Sequence, residues 1–242
     1  VTLHDDLTRT AALLRAGWPI TNLARAKRAQ ERTKMGTRGL TAVILDGEHK
    51  IAQYGQWDHY PSGQGLTALE FCREVMVDDA KRDTFIANLR RCRFETPADE
   101  AERDAWLASI GVRGGTMNMA QYEQWKNRYT LHTRDHGAEI LNLVANAEPD
   151  AQLVVQDSWD FGADSLFCEW AYVVDATAGT LEVYRGFNKR PATGRFAAME
   201  PKRGDYTPIT LAKTYRIAAL PADADFVDEL EKIADDLRGE EE

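Results

Sequence analysis

The pattern of apolar and polar positions changes period along the chain, and each change predicts a change of element. From about residue 38 the period is two: Leu40, Ala42 and Ile44 fall on one face, with Thr41, Val43 and Leu45 on the other. Side chains that alternate in this way mark a strand. Asp46-Gly47 follows, a pair tolerant of positive φ, so a hairpin is expected with residues 48–54 as its returning strand. Beyond residue 65 the period lengthens. Leu69, Cys72, Val75 and Met76 recur three and four apart, and Phe85, Ile86 and Leu89 do so again within 81–92, which predicts two helices.

Thr96-Pro97-Ala98-Asp99 supplies a capping hydroxyl, a first-turn proline and an acid three residues on, the start of a helix expected to reach Ile110 and stop at Gly111. A link with Gly111, Gly114 and Gly115 leads to a helix over 118–129, whose Met119, Tyr122, Trp125 and Tyr129 stripe reads as core-facing. Asp135 is expected to cap a helix over 136–146. Strand patterns follow at 152–156, 167–174 and 180–184, the last two joined by the turn 176–179, with a further candidate in 207–217. Phe226, Leu230, Ile233 and Leu237 then form one face of an acidic amphipathic helix. Strands at both ends with helices between them predict an α+β fold, its antiparallel sheet built from the N- and C-terminal hairpins. Ahead of that core, 5–16 and 21–34 read as helices broken at Gly17-Trp18-Pro19. Leu23, Ala26 and Ala29 give the second of them little to bury. Residues 1–34 are therefore expected to be a basic helical appendage, and 35–242 a single domain whose first element is headed by Met35.

Charge and composition narrow the function classes. The chain of 242 residues carries a net charge of −9, unevenly spread. Residues 1–34 hold +4 and residues 222–242 hold −8. An acidic body repels a phosphate backbone, so nucleic acid is not the expected partner of that body. The basic arm or the acidic tail could instead meet a macromolecular protein partner, and solvated faces are the alternative. No apolar run approaches the ~20 residues of a membrane span, and His4, Asp5 and Asp6 open the chain where a secretory signal would be basic and then apolar. Cys72, Cys92 and Cys168 are sparse and form no CxxC, so a reducing, cytoplasmic setting without disulfides or a zinc knuckle is expected. No cofactor is expected either: P-loop and dinucleotide fingerprints are both missing.

One segment asks for more than packing. Residues 53–65 place Tyr54, Trp57, Tyr60, Asp58, His59 and three glycines between a strand and a helix, where a connection of about 4–6 polar residues would serve. Tyr54, Gln56, Trp57, Asp58, Tyr60 and Ser62 are candidate ligand-binding residues, with Gly63 and Gly65 opening the next helix to a ligand. Arg38, at the start of the neighbouring strand, is a candidate counter-ion for Asp58. Asp135 and Glu169 complete the candidate set. The plainer reading has Trp57 and Tyr60 plugging the end of the sheet while Asp58 ties down turn amides. His132, Asp135 and His136 spell HxxDH, but a helix start at Asp135 would keep the two histidines off a shared face, and a capping or surface role is preferred to a metal. Carboxylates at Asp157, Asp160, Asp164 and Glu169 could pair for acid–base work. There is no GxSxG, and Cys72 falls on an apolar helix face.

Residues 35–40, Met-Gly-Thr-Arg-Gly-Leu, and the segment Tyr54-Gly55-Gln56-Trp57-Asp58-His59-Tyr60-Pro61-Ser62-Gly63-Gln64-Gly65 resemble a group of uncharacterised phage, bacterial and fungal proteins. These begin MGTRG or MGTRS and carry Y-x-(Q/H)-(F/W/M)-D-x-Y-P-x-G-x-G. Residues 134–138 and 167–172 resemble later segments of the group, so the likeness spans about residues 35–230. It implies a shared fold and a shared loop, and brings no reaction with it; the acidic charge and the lack of a catalytic signature favour an accessory protein of a phage or mobile element. A fainter likeness is to N-terminal-nucleophile hydrolases, in the order Thr37, Asp46-Gly47 and Asp58. It departs from them in that Thr37 is internal, so no free amine stands ready as a base.

Overall fold

The computed structural model describes residues 36–239, with side chains up to residue 236. The two helices expected within 1–34, and the side chain of Leu237, lie outside the described residues. The first hairpin forms as its pattern dictates. Strand β1 (Gly39–Leu45) turns at Asp46 (φ 53) and Gly47 (φ 83) into β2 (Glu48–Gly55). Helix α1 (Leu66–Phe71) sits between two wider helical turns, Pro61–Gly65 and Cys72–Met76, and is followed by α2 (Asp79–Arg91), capped by Asp78 accepting from the Lys81 amide at 3.0 Å. The Thr96–Asp99 capping box opens α3 (Pro97–Ser109), and Gly111 ends that region with φ 82. Next come α4 (Met119–Arg128), α5 (Ile140–Ala145), the strands β5 (Trp170–Asp175), β6 (Thr180–Arg185) and β7 (Thr210–Arg216), and α6 (Asp223–Gly239).

The fold is α+β, and its sheet is mostly antiparallel, in the order β2-β1-β5-β6-β7. The two hairpins do join one sheet, but the joint itself is parallel: β1 runs alongside β5, Gly39 against Trp170 through Ile44 against Asp175. The intervening helices make this possible, since a parallel pair needs a long crossover. All seven residues of β1 are buried, because the strand is central and both faces of the sheet are covered. On one face Val43, Leu45, Ile51, Tyr172, Val174 and Leu181 pack with Leu69, Phe85, Leu89, Ile140, Leu141, Phe226 and Leu230 from the helices. On the other, Leu40, Ala42, Ile44, Ala171, Val173 and Tyr184 pack against Phe196, Ile209 and the rings of Trp159 and Phe161, supplied by loops.

Three expectations are corrected. The strand expected over 152–156 is only two residues long, β4 (Val154–Val155), and pairs in parallel with β3 (Arg93–Phe94) in a small separate sheet. The α4 stripe is not core: the helix buries no residue and Met119 is 75% exposed, because α4 lies beyond the two-sided core with its aromatics half-buried at the edge. Asp135 caps no helix. The chain enters α5 through a tight turn at Gly137–Glu139, and the Asp135 carboxylate instead accepts the Tyr122 hydroxyl.

Candidate functional site

Gly39 and Gly55 face each other across β1 and β2, and the imidazole of His59 lies over both. A Cβ on Gly39 would stand 2.3 Å from His59 Cδ2, and one on Gly55 would stand 1.8 Å from Cε1. Two side chains of no size thus open a slot at the end of the sheet, and the loop fills it with a ring. The His59 amide donates to the Thr37 carbonyl at 3.2 Å, the Tyr172 hydroxyl donates to the His59 carbonyl at 2.9 Å, and Nδ1 lies 3.3 Å from the Trp57 carbonyl. Burial drives the imidazole down to about 4, so it is neutral near pH 7. The plug foreseen for Trp57 and Tyr60 is therefore His59.

With its centre anchored, the loop turns its tip outward. Trp57 is 52% exposed, and Asp58 is exposed with φ 60, a left-handed conformation that Asp tolerates better than most residues. The Gln64 amide donates to the Asp58 carbonyl at 2.8 Å, and the Asp58 carboxyl rests against Gly63, where a Cβ would lie 2.5 Å from Cγ. The amides of Gly63 and Gly65 both donate to the Tyr60 carbonyl, and Gly65 packs under the Tyr172 ring. Ser62 is exposed on the same turn. The segment 133–138 laces the flank: Gln56 N to the Arg134 carbonyl at 3.0 Å, Gln53 Nε2 to the Thr133 carbonyl at 3.2 Å, and Ala138 N to Gln64 Oε1 at 2.7 Å. The Tyr54 hydroxyl donates to Gln56 Oε1 at 2.6 Å while its ring meets Phe161 edge-on.

The remaining candidates are placed differently from expectation. Arg38 stacks on an aromatic ring. Its guanidinium lies 4.5 Å from the centroid of the Phe167 ring, because as a neighbour of Gly39 it points to the opposite face of the sheet. Glu169 is joined to Arg38 through the backbone, its amide donating to the Arg38 carbonyl at 3.0 Å. Asp135 is turned towards Tyr122. In HxxDH, His132 Nε2 lies 3.1 Å from the Val154 carbonyl, and the described residues contain no cluster of three metal-ligating side chains. Burial pushes the Cys72 thiol up to about 12 and raises Cys168 as well, which leaves little thiolate for nucleophilic attack.

Beneath the loop lies a feature the sequence analysis missed. Thr37 Oγ1, Thr41 Oγ1, Gln53 Oε1 and His59 Nε2 are all buried with no hydrogen-bond partner. Thr41 and Gln53 are cross-strand partners, and Thr37 is tied to His59. The four form a polar layer under the helix-facing side of the sheet end. Groups of this kind are expensive to leave unsatisfied. The only sequence signal was two glycines placed so that the hairpin register sets them opposite each other.

No protein-family model, curated protein or solved structure matches this chain.

Proposed function

We propose that this protein acts by binding a macromolecular protein partner, with the tip of the 54–65 loop as the contact. The observation that carries this reading is an exposed Trp57 beside Asp58 on a loop whose next residue, His59, is wholly buried. A tryptophan held out on an ordered support makes a strong interface anchor, because little conformational freedom remains to be lost on association. The resemblance to a group of phage, bacterial and fungal proteins supports an accessory role in a phage or mobile element. The test is recovery of a stoichiometric complex from host lysate by the full chain, alongside Trp57→Ala protein of matched melting temperature. Undiminished recovery by the variant would end this reading.

A second reading, a small-molecule or nucleotide-type ligand binder or an enzyme centred on residues 54–65, is favoured by the four unpartnered polar atoms beneath the loop. It predicts a ligand-induced rise in melting temperature that Asp58→Asn removes. A third reading, a hydrolase with Thr37 as an N-terminal nucleophile, rests on the unpartnered Thr37 hydroxyl and requires cleavage of the 36–37 peptide bond. Intact-mass analysis finding no chain that starts at Thr37 would dismiss it.

A further inference from the structure

Strands β6 and β7 are antiparallel neighbours, with Arg185 opposite Thr210, and a turn of about 2–5 residues could join them. The chain instead makes an excursion over 186–209. It is well tied. Buried Asn188 donates from Nδ2 to the Arg190 carbonyl at 3.0 Å, Thr207 Oγ1 at 2.7 Å and the Pro208 carbonyl at 3.0 Å, and its Oδ1 accepts the Arg190 amide at 3.1 Å. Phe196 anchors the middle of the excursion, fully buried between the rings of Trp159 and Tyr184. Long ordered connections of this sort tend to serve a purpose other than joining.

Its composition suggests the purpose. In a chain of net charge −9, residues 185–206 hold Arg185, Lys189, Arg190, Arg195, Lys202 and Arg203 against Glu200 and Asp205 alone. Arg195 is engaged by Asp175 and Glu182, and Arg203 by Asp164 at 2.9 Å. Lys189 and Lys202 are exposed, and neither pairs with a carboxylate among the described residues. Both line a cleft of about 490 Å³ together with Leu166, Arg203, Asp205 and Tyr206. Within it Lys189 Nζ lies 5.2 Å from the centroid of the Tyr206 ring, and Arg203 lies 4.8 Å from the ring of Phe167, which follows Leu166 in the chain.

We infer that this cleft binds a nucleoside phosphate, met either free or as a residue of a single nucleic-acid strand. Lysines without ion pairs suit the phosphate, and a ring in the wall suits the flat face of a base, the combination that single-strand sites use. The net charge that disfavours nucleic acid for the body as a whole is screened beyond about 8–10 Å, so the local cations govern contact here.

The test is fluorescence anisotropy of the full chain with a short labelled oligothymidylate at about 0.1 M salt and in a series of higher salt concentrations. Saturable binding is expected. Lys189→Ala and Lys202→Ala should each weaken it several-fold and reduce the slope of log affinity against log salt by about one. Tyr206→Ala should weaken it at unchanged slope, and Lys81→Ala, an exposed lysine at the start of α2, should leave it intact. Displacement by thymidine monophosphate would assign the site to free nucleotides, and displacement only by longer strands would assign it to a strand. Absent saturation, an equal loss in Lys81→Ala, or displacement by polyglutamate as effective as by an oligonucleotide of equal length would overturn the inference.

Discussion

The ring of His59 occupies the space where Gly55 would carry a side chain: a Cβ there would lie 1.8 Å from Cε1. The relationship fixes the loop to the sheet, because any bulk at position 55 must expel the ring that ties residues 57–60 in place. Gly55→Ala should therefore destabilise the protein by about 1–3 kcal/mol, as overpacking does in a closed core. Denaturant melts of Gly55→Ala, His59→Ala and the double variant test this. The double variant should cost less than the two single costs combined, since the ring is no longer present to be expelled. Strict additivity would show that the two positions do not compete for one space.

The buried imidazole makes stability depend on pH. In the unfolded chain a histidine takes up its proton near 6.5, whereas burial holds His59 neutral down to about 4. Between those values the unfolded state binds more protons, so the stabilisation is fully present above pH 6.5 and is lost as pH falls towards 4. The share due to His59 is about 3 kcal/mol. His132 and His136, also lowered by burial, act in the same direction. Urea melts at pH 7 and pH 4.5 should differ less in His59→Asn than in the parent chain, and an unchanged difference would contradict the assignment.

Thr41 supplies a hydroxyl to the unpartnered layer while its register partner Gln53 supplies a carbonyl oxygen. Replacing an unsatisfied buried hydroxyl by a methyl of the same shape removes a desolvation cost. Thr41→Val should accordingly raise stability, by about 1 kcal/mol. Thermal melting of the isolated protein measures it. A clear loss of stability would mean that the hydroxyl has a partner in solution, and the ligand reading of the loop would gain by it.

At the tip of the loop, charge and shape can be separated. Asp58→Asn keeps a residue that accepts the left-handed backbone, and the position is exposed, so its stability should stay within about 1 kcal/mol of the parent. Binding to the partner, or turnover if the site is catalytic, should fall much further. Asp58→Val should lose stability as well, since a β-branched residue is strained at φ 60. If Asp58→Asn showed a thermal defect alone, with activity per folded molecule intact, Asp58 would serve the turn and not a ligand.

Local chemistry was enough to fix the elements whose signals lie within a few residues of each other. Asp46-Gly47 makes its turn, Thr96 and Asp99 form their box, and Phe226 and Leu230 share a buried face, because propensity, capping and turn geometry act over one or two turns of chain. The α+β class followed from the order of these elements. Partnership across the chain was beyond that reach. Nothing in the period of residues 39–45 distinguishes a neighbour in front from one behind, so the parallel joint of β1 with β5 had to come from the packing. The stripe on α4 has the spacing of a core helix and lies outside the core, since periodicity tells which residues share a face and not whether anything covers it. The same limit explains the site. The sequence marked 53–65 as unusual and named Asp58 and Trp57, but only the register that sets Gly39 opposite Gly55 makes room for His59, and only that seating turns Trp57 out.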